Sequence, residues 1–277
     1  MLRKAHSLIG MKIHAIDGDL GHVDDFYFDD MEWIIRYVII RTGPWFLGDR
    51  VLVTPSVIRA VEWEERALHV NLTREQIKNS PSLDLAKPVT RDQEMELANY
   101  YQWPTYWSDV PGRTIGSSLL PSDNASTVST NPDIVSTDVP NPSISDSDRA
   151  NMAETKIETE LRRAAQAQGR PHLRSVKEVT GYRIAAIDGE IGHVEDFFID
   201  EESWQIQYLL VDTGNWLPGR HVLISLDWVT GISWADSKIH VKVTREQVKN
   251  SPEYDPRGGV DRHYEDSLFR HYGSPPS

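Results

Sequence analysis

Residues 10–28 read GMKIHAIDGDLGHVDDFYF, and residues 181–199 read GYRIAAIDGEIGHVEDFFI. The two stretches align without a gap at an offset of 171 residues, and the same offset pairs TREQIKNSP at 73–81 with TREQVKNSP at 244–252. Chance similarity does not keep one register over so many positions, so the match indicates an internal duplication. The chain therefore contains two copies of one folding unit.

Each copy alternates short apolar segments with turn residues. Asp17-Gly18 is a hairpin-type pair, and the neighbouring acids Asp24 and Asp25 interrupt the next strand, which predicts a β-bulge there and at Glu195-Asp196. The run 33–42 predicts a long strand that begins with Trp33 on its apolar face. Several short strands with turns roughly every 8–12 residues predict a mainly β fold with one small barrel in each copy.

Two kinds of helix follow each predicted barrel. Thr73 and Gln76 have the spacing of a capping box, in which each side chain accepts a backbone amide of the other residue, and Thr244 and Gln247 repeat it. A second helix is predicted at 91–101 in the first copy and at 262–272 in the second.

A polar segment separates the copies. Residues 117–148 are dominated by Ser, Thr, Asn, Asp and Pro without an aromatic residue, a composition typical of disorder. Such a linker lets the two barrels either dock on each other or separate. The predicted organisation is a first barrel (1–84), a helical extension (85–107), a disordered linker (108–150), a helix and connector (151–172), a second barrel (173–255) and a helical C-terminal extension (256–277).

The composition excludes several classes of function. The net charge of −13 disfavours nucleic-acid and anionic membrane partners, and the absence of cysteine excludes disulfides, thiolate nucleophiles and cysteine-based metal sites. No apolar stretch is long enough to span a membrane or to resemble a signal peptide. We therefore expect a cytoplasmic protein without an integral membrane segment.

Three motifs together resemble the PRC-barrel family. They are the run AIDG-x-x-GHV-x-DF, the long strand that ends in Thr-Gly, and the terminal TREQ-x-KNSP, and the resemblance covers about 10–84 and 181–255. The family is named for the photosynthetic reaction centre H subunit, and the ribosome-maturation factor carries the same barrel. This sequence differs from the H subunit in lacking a membrane helix, and from the maturation factor in having two barrels. The resemblance implies an adaptor role, in which the barrel docks on another protein or on a cofactor-bearing complex.

Polar residues in the repeated GHV segment are weak site candidates. His22 with Asp25, and His193 with Asp196, could bind a metal or relay protons, but one histidine beside adjacent acids more often has a structural or surface role. No nucleophile, phosphate-loop or dinucleotide motif is present. The prediction is a protein that is not an enzyme, with no cofactor and no metal.

Large apolar side chains at turns and in the extension are the candidates for partner binding, because exposed aromatic residues mark docking sites. The alternative is that they fold back over the barrel as a lid. The candidates are Trp45, Phe46, Trp103, Tyr106, Trp107, Trp216 and Leu217.

Four functions follow from these observations, and the first is favoured. It is a scaffold or adaptor that binds a protein partner through two linked barrels, which could also pack on each other or form a homo-oligomer. The alternatives are an accessory role in light-driven electron or proton transfer like that of the H subunit, a metal-dependent or hydrolytic enzyme, and binding to ribosome-assembly particles.

Overall fold

The computed structural model describes residues 1–43, 50–81, 83, 87–107, 172–214, 220–255 and 259–273. Met1–Glu94 and Pro171–Ser277 together form one compact unit, and Met95–Arg170 forms a second. We call residues 1–94 module one and residues 172–273 module two. The predicted linker (108–150) and, up to residue 171, the predicted helix and connector (151–172) lie outside the described residues.

Module one consists of short strands followed by helices. The strands are β1 (Leu2–Lys4), β2 (Lys12–Ala15), β3 (Gly18–Asp29), β4 (Ile35–Thr42), β5 (Arg50–Val53), β6 (Ile58–Glu62) and β7 (Ala67–Val70). The helices are α1 (Ala5–Leu8) and α2 (Arg74–Lys78), and a 3-10 turn spans Pro55–Val57. The helix α3 (Arg91–Tyr101) begins in module one and extends past residue 94.

Module two repeats this order of elements, as the duplication predicts. Its strands are β8 (Leu173–Ser175), β9 (Arg183–Ala186), β10 (Gly189–Asp200), β11 (Ile206–Asp212), β12 (His221–Ser225), β13 (Val229–Ser233) and β14 (Lys238–Val241). Its helices are α4 (Val176–Val179), α5 (Arg245–Asn250) and α6 (Arg262–Tyr272), with a 3-10 turn at Leu226–Trp228.

Six of the seven strands of each module form one sheet. The order is β5-β4-β3-β2-β7-β6 in module one and β12-β11-β10-β9-β14-β13 in module two. The pairs β2–β7 and β9–β14 are parallel, and the other pairs are antiparallel. The prediction of a mainly β fold is confirmed, although no ladder between the described strands joins the two ends of either sheet. In module one, the 3-10 turn that starts at Pro55 carries the chain directly from β5 to β6.

The first strand of each module pairs with the sheet of the other module. Strand β1 runs antiparallel to β10 with Arg3 opposite Ile199, and β8 runs antiparallel to β3 with Arg174 opposite Phe28. Each sheet therefore has seven strands, six of its own and one donated by the other module. Of the two arrangements that the linker permits, docking is the one observed.

A second contact between the modules lies where β4 and β11 begin. The backbone N–H of Ile35 donates to the carbonyl of Trp204 (2.9 Å), and that of Ile206 donates to the carbonyl of Trp33 (2.8 Å). The buried rings of Phe28 and Phe197 meet nearby with centroids 5.9 Å apart. The apolar core is thus continuous between the modules, and its burial favours the paired state.

Three local predictions are confirmed. The ladders shift register between Val23 and Asp25 and between Val194 and Asp196, which are the predicted bulges. Both capping boxes form, at the N-termini of α2 and α5. The helices α3 and α6 have the predicted bounds.

The predicted start of the long strand is wrong. Strand β4 begins at Ile35, and Trp33 lies before it with a φ of 57°. The turn is fixed by Asp29, whose side chain accepts the backbone N–H of Met31 (2.9 Å) and whose carbonyl accepts that of Trp33 (2.7 Å). The local hydrogen bonds of an Asp turn therefore outweigh the strand preference of the tryptophan.

Candidate functional site

A buried carboxylate at the bulge of β3 anchors the segment that module two donates. Asp25 Oδ1 accepts the backbone N–H groups of Phe26 (2.7 Å) and Lys177 (3.2 Å), and its Oδ2 accepts the hydroxyl of Ser175. Ser175 is the N-cap of α4, so Asp25 satisfies amides of its own strand and of the incoming helix.

Asp196 has the same role in the opposite direction. Its Oδ1 accepts the backbone N–H groups of Phe197 (2.8 Å) and of His6 in α1 (3.1 Å). Burial raises the pKa of both Asp25 and Asp196, and the hydrogen bonds that they accept offset this only in part. The bulge is what turns these side chains toward the donated helix.

An arginine on each donated strand contacts both modules. Arg3 Nε lies 3.0 Å from a carboxylate oxygen of Glu201, and its guanidinium lies over the ring of Trp63 at 4.3 Å from the centroid. Arg3 thus pairs with an acid of module two and stacks on a tryptophan of module one.

Arg174 makes the equivalent contacts. Its Nε is 3.1 Å from Asp30, and its guanidinium is 4.0 Å from the ring centroid of Trp234. Burial raises the pKa of Asp30 to about 6, even though the charge and hydrogen bond of Arg174 act to lower it. The Asp30 carboxylate is therefore the acid of this junction whose charge changes closest to neutral pH.

The bulge also carries a charged cluster, which differs between the modules. Asp24 lies within 3.3 Å of Arg41, 2.7 Å of Arg50 and 3.3 Å of Lys177. Burial raises the pKa of Asp24, but Lys177, Arg50 and Arg41 together outweigh burial and hold it below its ordinary value. Three cations thus contact one carboxylate.

The equivalent cluster of module two lacks these cations. Glu195 takes the place of Asp24 and lies 2.9 Å from His221, which takes the place of Arg50. The positions equivalent to Arg41 and Lys177 are Asp212 and His6.

A cavity of about 350 Å³ opens beside the Asp24 cluster. Its wall comes from both modules. The charged residues that line it are Asp24, Asp25, Arg50 and Lys87 from module one with Arg174, Lys177 and Glu178 from module two. A space of this size suits a small molecule or ion. The cavity exists because β8 and α4 cross from module two onto β3.

The two candidate histidines do not join the buried acids. His22 is exposed, while Asp25 is buried, and within the described residues no hydrogen bond or ion pair joins the two. His193 Nε2 lies 4.0 Å from Asp212 rather than beside Asp196. Within the described ranges, no group of three or more His, Cys, Asp or Glu side chains is arranged to hold a metal ion.

Part of the aromatic set can be placed. Within Met95–Arg170, Tyr101 and Trp103 stack at 4.1 Å between centroids, and Tyr106 and Trp107 meet edge to face at 4.8 Å. Trp103, Tyr106 and Trp107 are each partly exposed. Trp45, Phe46, Trp216 and Leu217 lie outside the described residues. The choice between a docking surface and a lid therefore remains a prediction for all seven residues.

The residues that sequence reasoning missed are those of the donated strands. The segments 2–4 and 173–175 read LRK and LRS at the same offset of 171, so the duplication extends further toward the N-terminus than the quoted motifs. Extension of that alignment, with Arg3 matched to Arg174 and Trp63 to Trp234, is the signal that could have drawn attention to them.

The fold and this junction define a class: a tandem pair of mainly β modules joined through exchanged strands. The model of the PRC-barrel domain matches residues 2–77 and 172–248, more than half of the chain. The chain therefore belongs to the PRC-barrel family, with two copies of the domain in tandem. No curated protein matches the chain. Among the described residues, no helix is long and apolar enough to cross a membrane.

Proposed function

We propose that this protein is a non-enzymatic adaptor that binds a protein partner through two PRC-barrel modules held together as one body. The observation that carries the proposal is the reciprocal exchange of β1 and β8. An adaptor gains affinity when two binding modules are presented together, because the second contact then forms within one complex.

The arrangement of the junction supports a structural role for its polar residues. Asp25 and Asp196 use their oxygens on backbone amides and, for Asp25, a serine hydroxyl. A carboxylate whose lone pairs are occupied in this way is poorly placed to act as a general base. The candidate partner-binding residues are the partly exposed Trp103, Tyr106 and Trp107 and, from the sequence alone, Trp45, Phe46, Trp216 and Leu217.

The first experiment captures partners with the tagged full-length chain and identifies them by mass spectrometry. We expect one protein to be recovered with the wild type and lost with Trp45→Ala, Trp216→Ala or the pair Trp103→Ala and Trp107→Ala. Ile187→Ala is the matched control, since Ile187 is an exposed apolar residue outside the candidate set. Recovery of the same proteins with every variant would contradict the assigned surface.

The second experiment tests whether both modules are needed as one body. A protease site is placed between residues 120 and 145, and the purified chain is cut there. We expect the two pieces to co-elute and to keep the partner, because the exchanged strands hold them. Pieces that separate without unfolding would contradict the proposal. The alternative accessory role near a membrane complex, and the predicted cytoplasmic location, are tested by fractionating cells.

A further inference from the structure

The junction cavity lies where the two modules differ most in charge. Of its lining residues, Arg50 belongs to module one and Lys177 to module two, so each module contributes a cation to one space. Both side chains are close to half exposed, at 47% and 48%, although each contacts Asp24. They are therefore fixed by the protein but open to a solute.

The positive charge here is not needed for the fold. Module two folds in the same way with Asp212, His221 and His6 at the positions equivalent to Arg41, Arg50 and Lys177. Three cations in one copy thus correspond to one acid and two histidines in the other. A feature that one copy has and the other lacks, on a shared backbone, calls for a reason other than folding.

The space itself is also used differently in module two. Tyr27 lines the cavity, whereas its counterpart Phe198 packs against the buried ring of Tyr254 at 5.4 Å between centroids. The Lys4 ammonium lies over the same Tyr254 ring at 5.1 Å from its centroid. In module two the corresponding surface is therefore covered by a side chain.

We propose that the junction cavity binds one small oxyanion per chain, a phosphate or carboxylate group held by Arg50 and Lys177. Guanidinium and ammonium groups make their strongest hydrogen bonds to such anions, and Arg50 can present two N–H groups in a fixed fork. The exposed Lys87 adds a further cation to the same wall, which also carries Asp25 and Glu178, while Arg174 is paired with Asp30. This site is independent of the aromatic surface assigned to a protein partner.

Asp24 sets the affinity of the site. Its carboxylate already forms ion pairs with Arg41, Arg50 and Lys177. An incoming anion therefore competes with Asp24 for the same hydrogen-bond donors. The acid lowers the affinity for an anion while it keeps Arg50 and Lys177 in place. Replacing Asp24 by Asn removes this competing charge and should strengthen anion binding.

The test is isothermal titration calorimetry of the full-length chain with inorganic phosphate and, separately, with malonate, at constant ionic strength maintained with sodium chloride. We expect saturable binding of one anion per chain with at least one probe. The tighter probe identifies the ligand chemistry as phosphate-like or dicarboxylate-like. Lack of saturable heat with both the wild type and Asp24→Asn up to about 10 mM would overturn the proposal.

Variants assign the site to the cavity. We expect Arg50→Gln and Lys177→Gln each to weaken binding by about tenfold, and Asp24→Asn to strengthen it several-fold. Arg59→Gln, an exposed cation on β6, is the control and should leave binding unchanged. Thermal unfolding of each variant establishes that it is folded, and Arg50→Gln leaves the donated helix α4 untouched. Equal weakening by Arg59→Gln, or none by Arg50→Gln and Lys177→Gln, would refute the assignment.

Discussion

In module one, Glu94 is fully buried, with Arg91 Nη1 at 3.0 Å and His172 Nε2 at 3.7 Å. In module two, the equivalent Glu265 is partly exposed to solvent, and Met1 takes the position of His172. Both acids accept the hydroxyl of a tyrosine, Tyr37 at 3.2 Å and Tyr208 at 2.9 Å. The tyrosine contact is thus common to the duplicated fold. Arg262 takes the position of Arg91, so the modules differ here in the burial of the acid and in the histidine.

The same contrast holds at the bulges. Asp25 and Asp196 make equivalent hydrogen bonds, whereas their neighbours Asp24 and Glu195 are surrounded by different charges. Backbone-binding acids have been kept in both copies because each donated helix needs an acceptor. The comparison indicates that structural roles are shared between the modules and that any ligand-specific role belongs to one of them.

We expect the largest effect from a deletion that removes one of the exchanged strands. Deleting residues 2–4 removes β1 and should destabilise module two, by on the order of 3 kcal/mol for the lost ladder hydrogen bonds and packing. Hydrogen exchange measured by mass spectrometry should show faster exchange in 198–201, nearly two hundred residues away in the chain. The control region is 27–29, which pairs with β8. Faster exchange in 27–29 alone would contradict the observed pairing.

The next effect compares the two anchoring acids. Asp25→Ala leaves the Lys177 amide and the Ser175 hydroxyl without this acceptor, and we expect a loss of about 2–3 kcal/mol of unfolding free energy. Asp196→Ala should cost somewhat less, since Asp196 accepts hydrogen bonds from two backbone amides and from no side-chain hydroxyl among the described residues. Urea unfolding measures both. Asp19→Ala is the control, because the Asp19 side chain is 89% exposed, and an equal loss there would contradict the anchoring role.

A third comparison concerns the buried and half-buried glutamates. Glu94→Gln leaves the Arg91 guanidinium beside a neutral amide in a buried place, and we expect a loss of about 2 kcal/mol. Glu265→Gln should cost less than about 1 kcal/mol because solvent reaches that carboxylate. Thermal and urea unfolding measure the difference. A larger loss for Glu265→Gln would reverse the proposed contrast between the modules.

The smallest effect depends on pH. The pKa of Asp30 is raised to about 6, so the folded state binds this proton more tightly than the unfolded chain does. Its contribution to stability is therefore present at low pH and is lost as the pH rises from about 4 through 6, by about 2 kcal/mol. The difference in unfolding free energy between wild type and Asp30→Asn should follow this slope, and Glu201→Gln, at the equivalent position, is the control. A pH-independent difference for Asp30→Asn would contradict the raised pKa.

Much of the fold could be predicted from local patterns. The capping boxes, the bulges and the bounds of α3 and α6 depend on residues close together in the sequence, and all are as predicted. The start of β4 was mispredicted because the turn hydrogen bonds of Asp29 lie upstream of the apolar run. Local spacing thus predicts elements well where their stabilising contacts are themselves local.

The junction could not be predicted in the same way. Strands β1 and β8 have three residues each, too few for an alternating pattern, and their partners lie in the other half of the chain. The sequence suggests Asp25 and Asp196 as candidates for metal binding or proton relay, whereas the structure places them against the donated helices. The cation cluster at Asp24 was missed because Arg41, Arg50 and Lys177 are separated in sequence and converge only after the exchange.

The strand exchange also means that each exchanged strand and its pairing partner are translated at different times. Arg3 is paired with Ile199, which is made nearly two hundred residues later, and at ordinary elongation speeds this separation is a wait of roughly 10–40 s. During that interval the nascent edge of β3 is open as well, since β8 has not yet been translated. Neighbouring nascent chains on one polysome would therefore carry unpaired strand edges at the same time. We expect a holdase chaperone to bind these edges.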